Sequence, residues 1–199
     1  MIKAVIFDYG GVVTSGGGGN GIAEQLAPNI GISVEEANRL LKQPWYDLVR
    51  GNVTELEFWL RVETNHGRPI PENARNIWNS WEDMKPRTDI LNFIEDLKSK
   101  GYIVGLLSNV IPRTETFLRE EGVYELFSPC VLSCQLGIAK PDVEIYTQML
   151  DLLENVSANQ VIYIDDQERC LVPAKELGMK TVLAIESKQI ISDVNHILE

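Results

Sequence analysis

Six polar residues stand where short apolar runs of this 199-residue chain end, and their types suit one chemistry. Asp8 follows the run 2–7, Ser108 and Asn109 follow 102–107, Lys140 sits in the turn Gly137-Ile138-Ala139-Lys140-Pro141, and Asp165-Asp166 follow 161–164. Singly, each has a structural explanation. Asp8 suits a turn cap, Ser108 and Asn109 an Asx-type turn, Lys140 a solvated loop, and the acidic pair the N-cap of a following helix. Together they form a complementary set. A carboxylate can attack phosphorus and divide one hard displacement into two easier ones. Because attacker and target are both anions, a hard divalent cation such as Mg2+, held by carboxylates, carbonyls and water, removes the repulsion. A hydroxyl, backbone N–H groups and an ammonium then hold the phosphoryl oxygens.

Such a set needs a scaffold that gathers loop residues at one edge. The runs 2–7, 102–107, 161–164 and 181–185, with a weaker one at 130–133, are short and continuously apolar. That pattern predicts strands of a parallel sheet buried on both faces. Between them lie helix-period segments at 87–100, 112–121, 141–153 and 168–177, punctuated by proline at first turns and glycine past last turns. From residue 87 onward strand and helix alternate, which predicts an α/β, doubly wound core with ligands at the carboxyl ends of its strands.

Alternation fails between residues 15 and 85, where helical patterns follow one another around Pro28, Pro44, Gly51, Gly67 and Pro69 to Pro71. The four tryptophans, Trp45, Trp59, Trp78 and Trp81, all lie there and are expected to fill a small helical core. This interval is read as a helical insertion, with the glycine run from Gly16 to Gly19 as a hinge or a passive turn.

Composition narrows the partners. With 44% hydrophobic residues the chain can bury a full core, and its net charge of −11 repels phosphate-rich polymers at long range. Nucleic acid is therefore not expected, whereas a small phosphorylated molecule in a locally positive pocket is. No apolar run reaches the roughly 18 residues of a membrane span. The cysteines Cys130, Cys134 and Cys170 are odd in number and match no metal motif, so reduced thiols in a cytoplasmic protein are expected.

In this order the motifs Phe7-Asp8-Tyr9-Gly10-Gly11-Val12-Val13, Leu107-Ser108-Asn109, Lys140-Pro141 and Ile164-Asp165-Asp166 resemble those of the haloacid dehalogenase-like hydrolase superfamily. The resemblance covers essentially the whole chain. It implies a Rossmann-like catalytic core over 1–14 and 86–199, with 15–85 as an inserted α-helical cap. It further implies that Asp8 is the nucleophile, that Asp166 binds Mg2+ directly, and that Asp165 binds the metal or its water. The Gly10 carbonyl would be another ligand, and Ser108, the Asn109 backbone and Lys140 would hold the phosphoryl group. The stretches Arg50-Gly51-Asn52-Val53-Thr54, 132–141 and Tyr163-Ile164-Asp165-Asp166 are similar to bacterial sugar-phosphate phosphatases of the alpha-D-glucose-1-phosphatase type.

One position departs from the common phosphatase pattern: Gly10 stands where a second acid usually protonates the leaving oxygen. General acid–base help typically contributes about 10²–10⁴-fold, so its absence favours anomeric, acyl or aryl phosphates over alkyl phosphates. Gln167 and Cys170 also replace residues that often support the metal and lysine. Two other readings stay open, a 2-haloacid dehalogenase and a non-catalytic phospho-ligand-binding protein; Asp165-Asp166 speaks for metal and phosphate instead. Substrate choice is assigned to the cap, with Trp45, Tyr46, Arg50 and Trp59 as candidate contacts, although Arg50 is read rather as a surface or cap-anchoring residue. The sequence sets no oligomeric state.

Overall fold

The computed structural model describes residues 1–16, 21–76 and 85–199. Among them the helices are, in chain order, α1 (Ile22–Ile30), α2 (Val34–Val49), α3 (Glu55–His66), α4 (Glu72–Arg75), α5 (Thr88–Ser99), α6 (Pro112–Glu120), α7 (Ser133–Leu136), α8 (Val143–Leu152), α9 (Glu168–Glu176) and α10 (Ser187–Leu198). The strands β1 (Ala4–Phe7), β2 (Ile103–Ser108), β3 (Cys130–Leu132), β4 (Val161–Asp165) and β5 (Lys180–Leu183) form one parallel sheet in the order β3-β2-β1-β4-β5. The doubly wound α/β expectation is met.

The apolar runs are continuous because both faces of the sheet are covered. Val5, Phe7, Val104, Leu106, Ile162 and Ile164 point to the side where α5 and α10 bring Ile90, Phe93, Leu97, Ile190 and Val194. Ala4, Ile6, Val131, Val161 and Tyr163 point to the other, against Ile145, Tyr146 and Met149 of α8 and Leu171 and Ala174 of α9. Every residue of the central β1 is fully buried. Burial of each large aliphatic side chain here stabilises the fold by about 1.5–3 kcal/mol.

Boundaries differ in small, explicable ways. Ser133 leaves the strand to begin α7, and α8 starts at Val143, because residues 139–142 form the loop that carries Lys140. Ile185, expected in the last strand, lies beyond β5 and is 74% exposed. The terminal helix α10 is an addition to the expected elements, although Ile190, Ile191, Val194 and Ile197 recur at helical spacing.

Helices α1 to α4 form the cap region between β1 and α5 and share a hydrophobic cluster, including Leu26, Leu41, Leu48, Phe58, Trp59 and Val62, which Ile111 and Ala139 join from outside the cap. Reciprocal capping boxes start two of them: Ser33 with Glu36 at α2, and Thr54 with Glu57 at α3. Pro28 and Pro44 do not separate helices; they lie inside α1 and α2. Trp59 is buried in the cap core and Trp45 packs against it, as expected, while Trp78, Trp81 and Gly17 to Gly19 lie outside the described residues. The outgoing and returning chains run together: Thr14 bridges Pro86, and the Arg87 N–H donates to the Val13 carbonyl at 2.8 Å.

Candidate active site

Strand register gathers the acids. Phe7 of β1 pairs with Ile164 of β4 and Leu106 of β2, so Asp8 and Asp165 occupy equivalent places on neighbouring parallel strands. The Asp8 N–H donates to the Ile164 carbonyl at 2.9 Å, which fixes where the Asp8 side chain starts. After Asp8 the chain makes a tight turn over Tyr9–Val13, with Gly11 at φ +76°. Glycine is needed there twice over: the angle is left-handed, and a Cβ would lie 2.4 Å from Asp166 Oδ2. Gly10, at φ −71° and ψ 130°, has a conformation open to any residue, so its backbone does not dictate glycine.

Lys140 reaches this edge from the loop before α8 and is only 3% exposed. Its Nζ lies 2.8 Å from Asp8 Oδ1 and 2.7 Å from Asp165 Oδ2. The Asn109 side chain braces that loop: its Oδ1 accepts from the Lys140 N–H at 2.8 Å, and its Nδ2 donates to the Lys140 carbonyl at 2.9 Å. Ser108, buried, ends β2 on the same edge of the sheet.

Asp165 is fully engaged. Besides Lys140 it accepts the Gln167 N–H on Oδ1 at 2.8 Å, and the Tyr163 hydroxyl donates to Oδ2. Tyr163 is a site residue that motif reading misses. Its signal is strand periodicity, since positions 163 and 165 share a face. Burial raises the Tyr163 phenol well above its ordinary range, so it stays a neutral donor. Asp166 differs: its Oδ1 is buried and accepts no hydrogen bond among the described residues.

The charges are unbalanced. Asp8, Asp165 and Asp166 each offer an oxygen within 4.8 Å of the others, and Lys140 pairs with the first two of them. Burial pushes the Asp8 carboxyl up, Lys140 opposes this, and Asp165 and Asp166 add to it. Asp166 is also raised, by burial and then by Asp165. Burial works against charge on Lys140, but Asp165 and Asp8 outweigh it and hold the ammonium protonated. An all-oxygen, acid-rich cluster with an unpartnered carboxylate oxygen fits a hard divalent cation.

The candidate cap contacts are not drawn into this cluster. Trp59 stacks edge-on to Phe58 inside the cap core, with ring centroids 4.9 Å apart. Tyr46 and Arg50 line a shallow surface cavity with Lys42, Gln43 and Asp47. The Arg50 guanidinium pairs with Asp142 at 2.5 Å and lies 4.7 Å over the Tyr46 ring. The three cysteines are free, and burial pushes the Cys170 thiol up to about 12, which keeps it un-ionised.

A sequence model of haloacid dehalogenase-like hydrolases matches residues 2–178, a span holding every group of this cluster. The chain belongs to that family. This haloacid dehalogenase-like hydrolase is 26% identical over 180 residues to the sesquiterpene phosphatase astK of Aspergillus oryzae, covering 89% of this chain and 87% of that protein. It is 26% identical over 196 residues to the glyceraldehyde 3-phosphate phosphatase of Methanothermobacter thermautotrophicus, covering 92% and 85%. Its fold is similar to that of a haloacid dehalogenase-family enzyme of Bacteroides thetaiotaomicron solved with magnesium and inorganic phosphate, with a TM-score of 0.71, 24% identity and coverage of 94% and 96%.

Proposed function

We propose that this hydrolase is an Mg2+-dependent phosphomonoesterase that acts on a small phosphorylated metabolite through an aspartyl-phosphate on Asp8. The observation that carries this is the buried cluster in which Lys140 bridges Asp8 and Asp165 while Asp166 keeps an unpartnered oxygen. Relatives named as phosphatases support the reading, as does the magnesium and phosphate bound by the Bacteroides enzyme.

Asp8, Asp166 and the Gly10 carbonyl are the residues assigned to hold Mg2+, with Asp165 beside them. When bound, the ion would neutralise repulsion between the anionic nucleophile and the anionic phosphate. Asp8 attacks phosphorus, forming the carboxyl O–P bond as the P–O bond to the leaving group breaks. Lys140, the Ser108 hydroxyl and the Asn109 N–H take the phosphoryl oxygens and the charge they gain. Water then attacks phosphorus, releasing phosphate and restoring the Asp8 carboxylate. Gly10 supplies no proton to the leaving oxygen, so substrates whose leaving group is stable as an anion are favoured. On this reading 1–14 and 86–199 form the catalytic core, 15–85 the cap that selects substrate, and sugar 1-phosphates, as in the glucose-1-phosphatase type, are the first class to test.

Hydrolysis of p-nitrophenyl phosphate with Mg2+, with chelator and with Asp8→Asn is the test. Activity lost in both controls supports the proposal. Release of chloride from a 2-haloacid without Mg2+, and no phosphate release, would replace it with dehalogenation.

A further inference from the structure

Asp142 occupies the N-cap position of α8, where an aspartate ordinarily accepts from the first-turn N–H groups, yet its side chain makes no such cap. Its Oδ2 instead accepts from Arg50 Nη2 at 2.5 Å and from the Ala139 N–H at 3.4 Å. Arg50 is the residue just past the end of α2 in the cap, and its Nη1 also donates to the Tyr46 carbonyl at 3.1 Å. Ala139 and Asp142 flank Lys140. The lysine loop is thus held from two sides, by Asn109 from the sheet and by Arg50 from the cap.

Two further contacts show that this junction is tightly seated. Ser133 is fully buried; its hydroxyl donates to the Val49 carbonyl of the cap at 2.6 Å and accepts from the Val110 N–H at 3.0 Å. A Cβ on Gly51 would lie 2.4 Å from the Cys134 carbonyl, so the backbone just past Arg50 packs directly on the segment leading to Lys140.

We infer that Arg50 is a positioning residue: through Asp142 it makes the placement of Lys140 depend on how the cap is seated, and it does not bind the substrate's leaving group. This rests on the phosphatase reading for its kinetic consequences, though not for its structural one. A cap that seats poorly on an ill-fitting substrate then loosens the lysine that the chemistry needs.

The test is a double-mutant cycle of Arg50→Gln, Asp142→Asn and the pair, chosen as substitutions that remove each charge while keeping a polar side chain; Asp142→Asn also keeps the shape. Each variant is measured for kcat and KM on p-nitrophenyl phosphate and for inhibition by inorganic phosphate, which occupies the Lys140 site but has no leaving group. Each single change is expected to lower kcat/KM and weaken phosphate inhibition by roughly 10-fold, as for a misplaced catalytic group. The double variant is expected to be no worse than the singles. Asp142→Asn behaving as wild type while Arg50→Gln raises KM with phosphate inhibition unchanged would assign Arg50 to the leaving group and overturn the inference. Multiplying losses in the double variant would overturn it as well. Amide hydrogen exchange reads the structural half without any activity: residues 138–142 should exchange faster in both single variants, and unchanged exchange there refutes the coupling even if the protein hydrolyses no phosphate ester.

Discussion

Gly11→Ala separates the backbone demand of the turn after Asp8 from its role in seating Asp166. A non-glycine residue in the left-handed region costs roughly 1–2 kcal/mol, which for a chain of this size lowers Tm by about 2–8 °C. The second effect is steric. The new Cβ would meet Asp166 Oδ2 at 2.4 Å and its Cγ at 2.6 Å, so the carboxylate must retreat by roughly 1 Å to reach ordinary contact. A displacement of that size at a reacting centre costs on the order of 100-fold in rate, near 3 kcal/mol of barrier. Gly31→Ala is the matched control, since Gly31 has φ +73° and an alanine Cβ there would have nothing within 4 Å. Both variants should show a similar loss in urea or thermal melts. Only Gly11→Ala should lose phosphatase activity and require more Mg2+. Equal kinetics for the two variants would refute the argument that the glycine exists to admit Asp166.

Three other outcomes follow from the same geometry. Gly10→Asp, at a backbone conformation that any residue adopts, should raise turnover of alkyl phosphates relative to p-nitrophenyl phosphate; an unchanged ratio counts against a missing general acid. Tyr163→Phe removes a buried donor to Asp165 and should cost about 1.5–3 kcal/mol in urea-melt stability, whereas wild-type stability would mean that the bond contributes nothing. The Asp8 carboxyl is raised from 3.8 to about 7 in the folded, metal-free protein, chiefly by burial. In that window the folded state holds a proton that the unfolded state has lost, so metal-free stability should fall as pH rises across it. Asp8→Asn should flatten that slope, and stabilisation by Mg2+ should grow with pH; a slope unchanged in Asp8→Asn assigns it to other groups.

How far the sequence can be read depends on whether an element's signal is local. β1 and β4 are legible because strands buried on both faces are apolar without interruption, and the acids at their ends are visible as breaks in that run. α10 has an amphipathic pattern but follows the last recognised motif, so nothing draws attention to it. Pro28 and Pro44 read as punctuation, yet both lie within helices whose other residues pack into the cap core; Pro44 is itself buried, while Pro28 faces outward. The identities of Asp8, Lys140, Asp165 and Asp166 are legible, but their connections are not. Tyr163 bonds to Asp165 only because the strand alternates its side chains. Ser133 meets Val49 and Arg50 meets Asp142 across 84 and 92 residues of chain, distances that no spacing rule reveals.

On the proposed mechanism Asp8 carries the phosphoryl group during turnover. Rapid acid quench of the enzyme turning over a 32P-labelled phosphomonoester, followed by peptide mapping, reads this directly. Label is expected on the peptide containing Asp8, released by hydroxylamine and absent from Asp8→Asn. Phosphate release by the wild-type enzyme with no label on that peptide, or label persisting in Asp8→Asn, would contradict it.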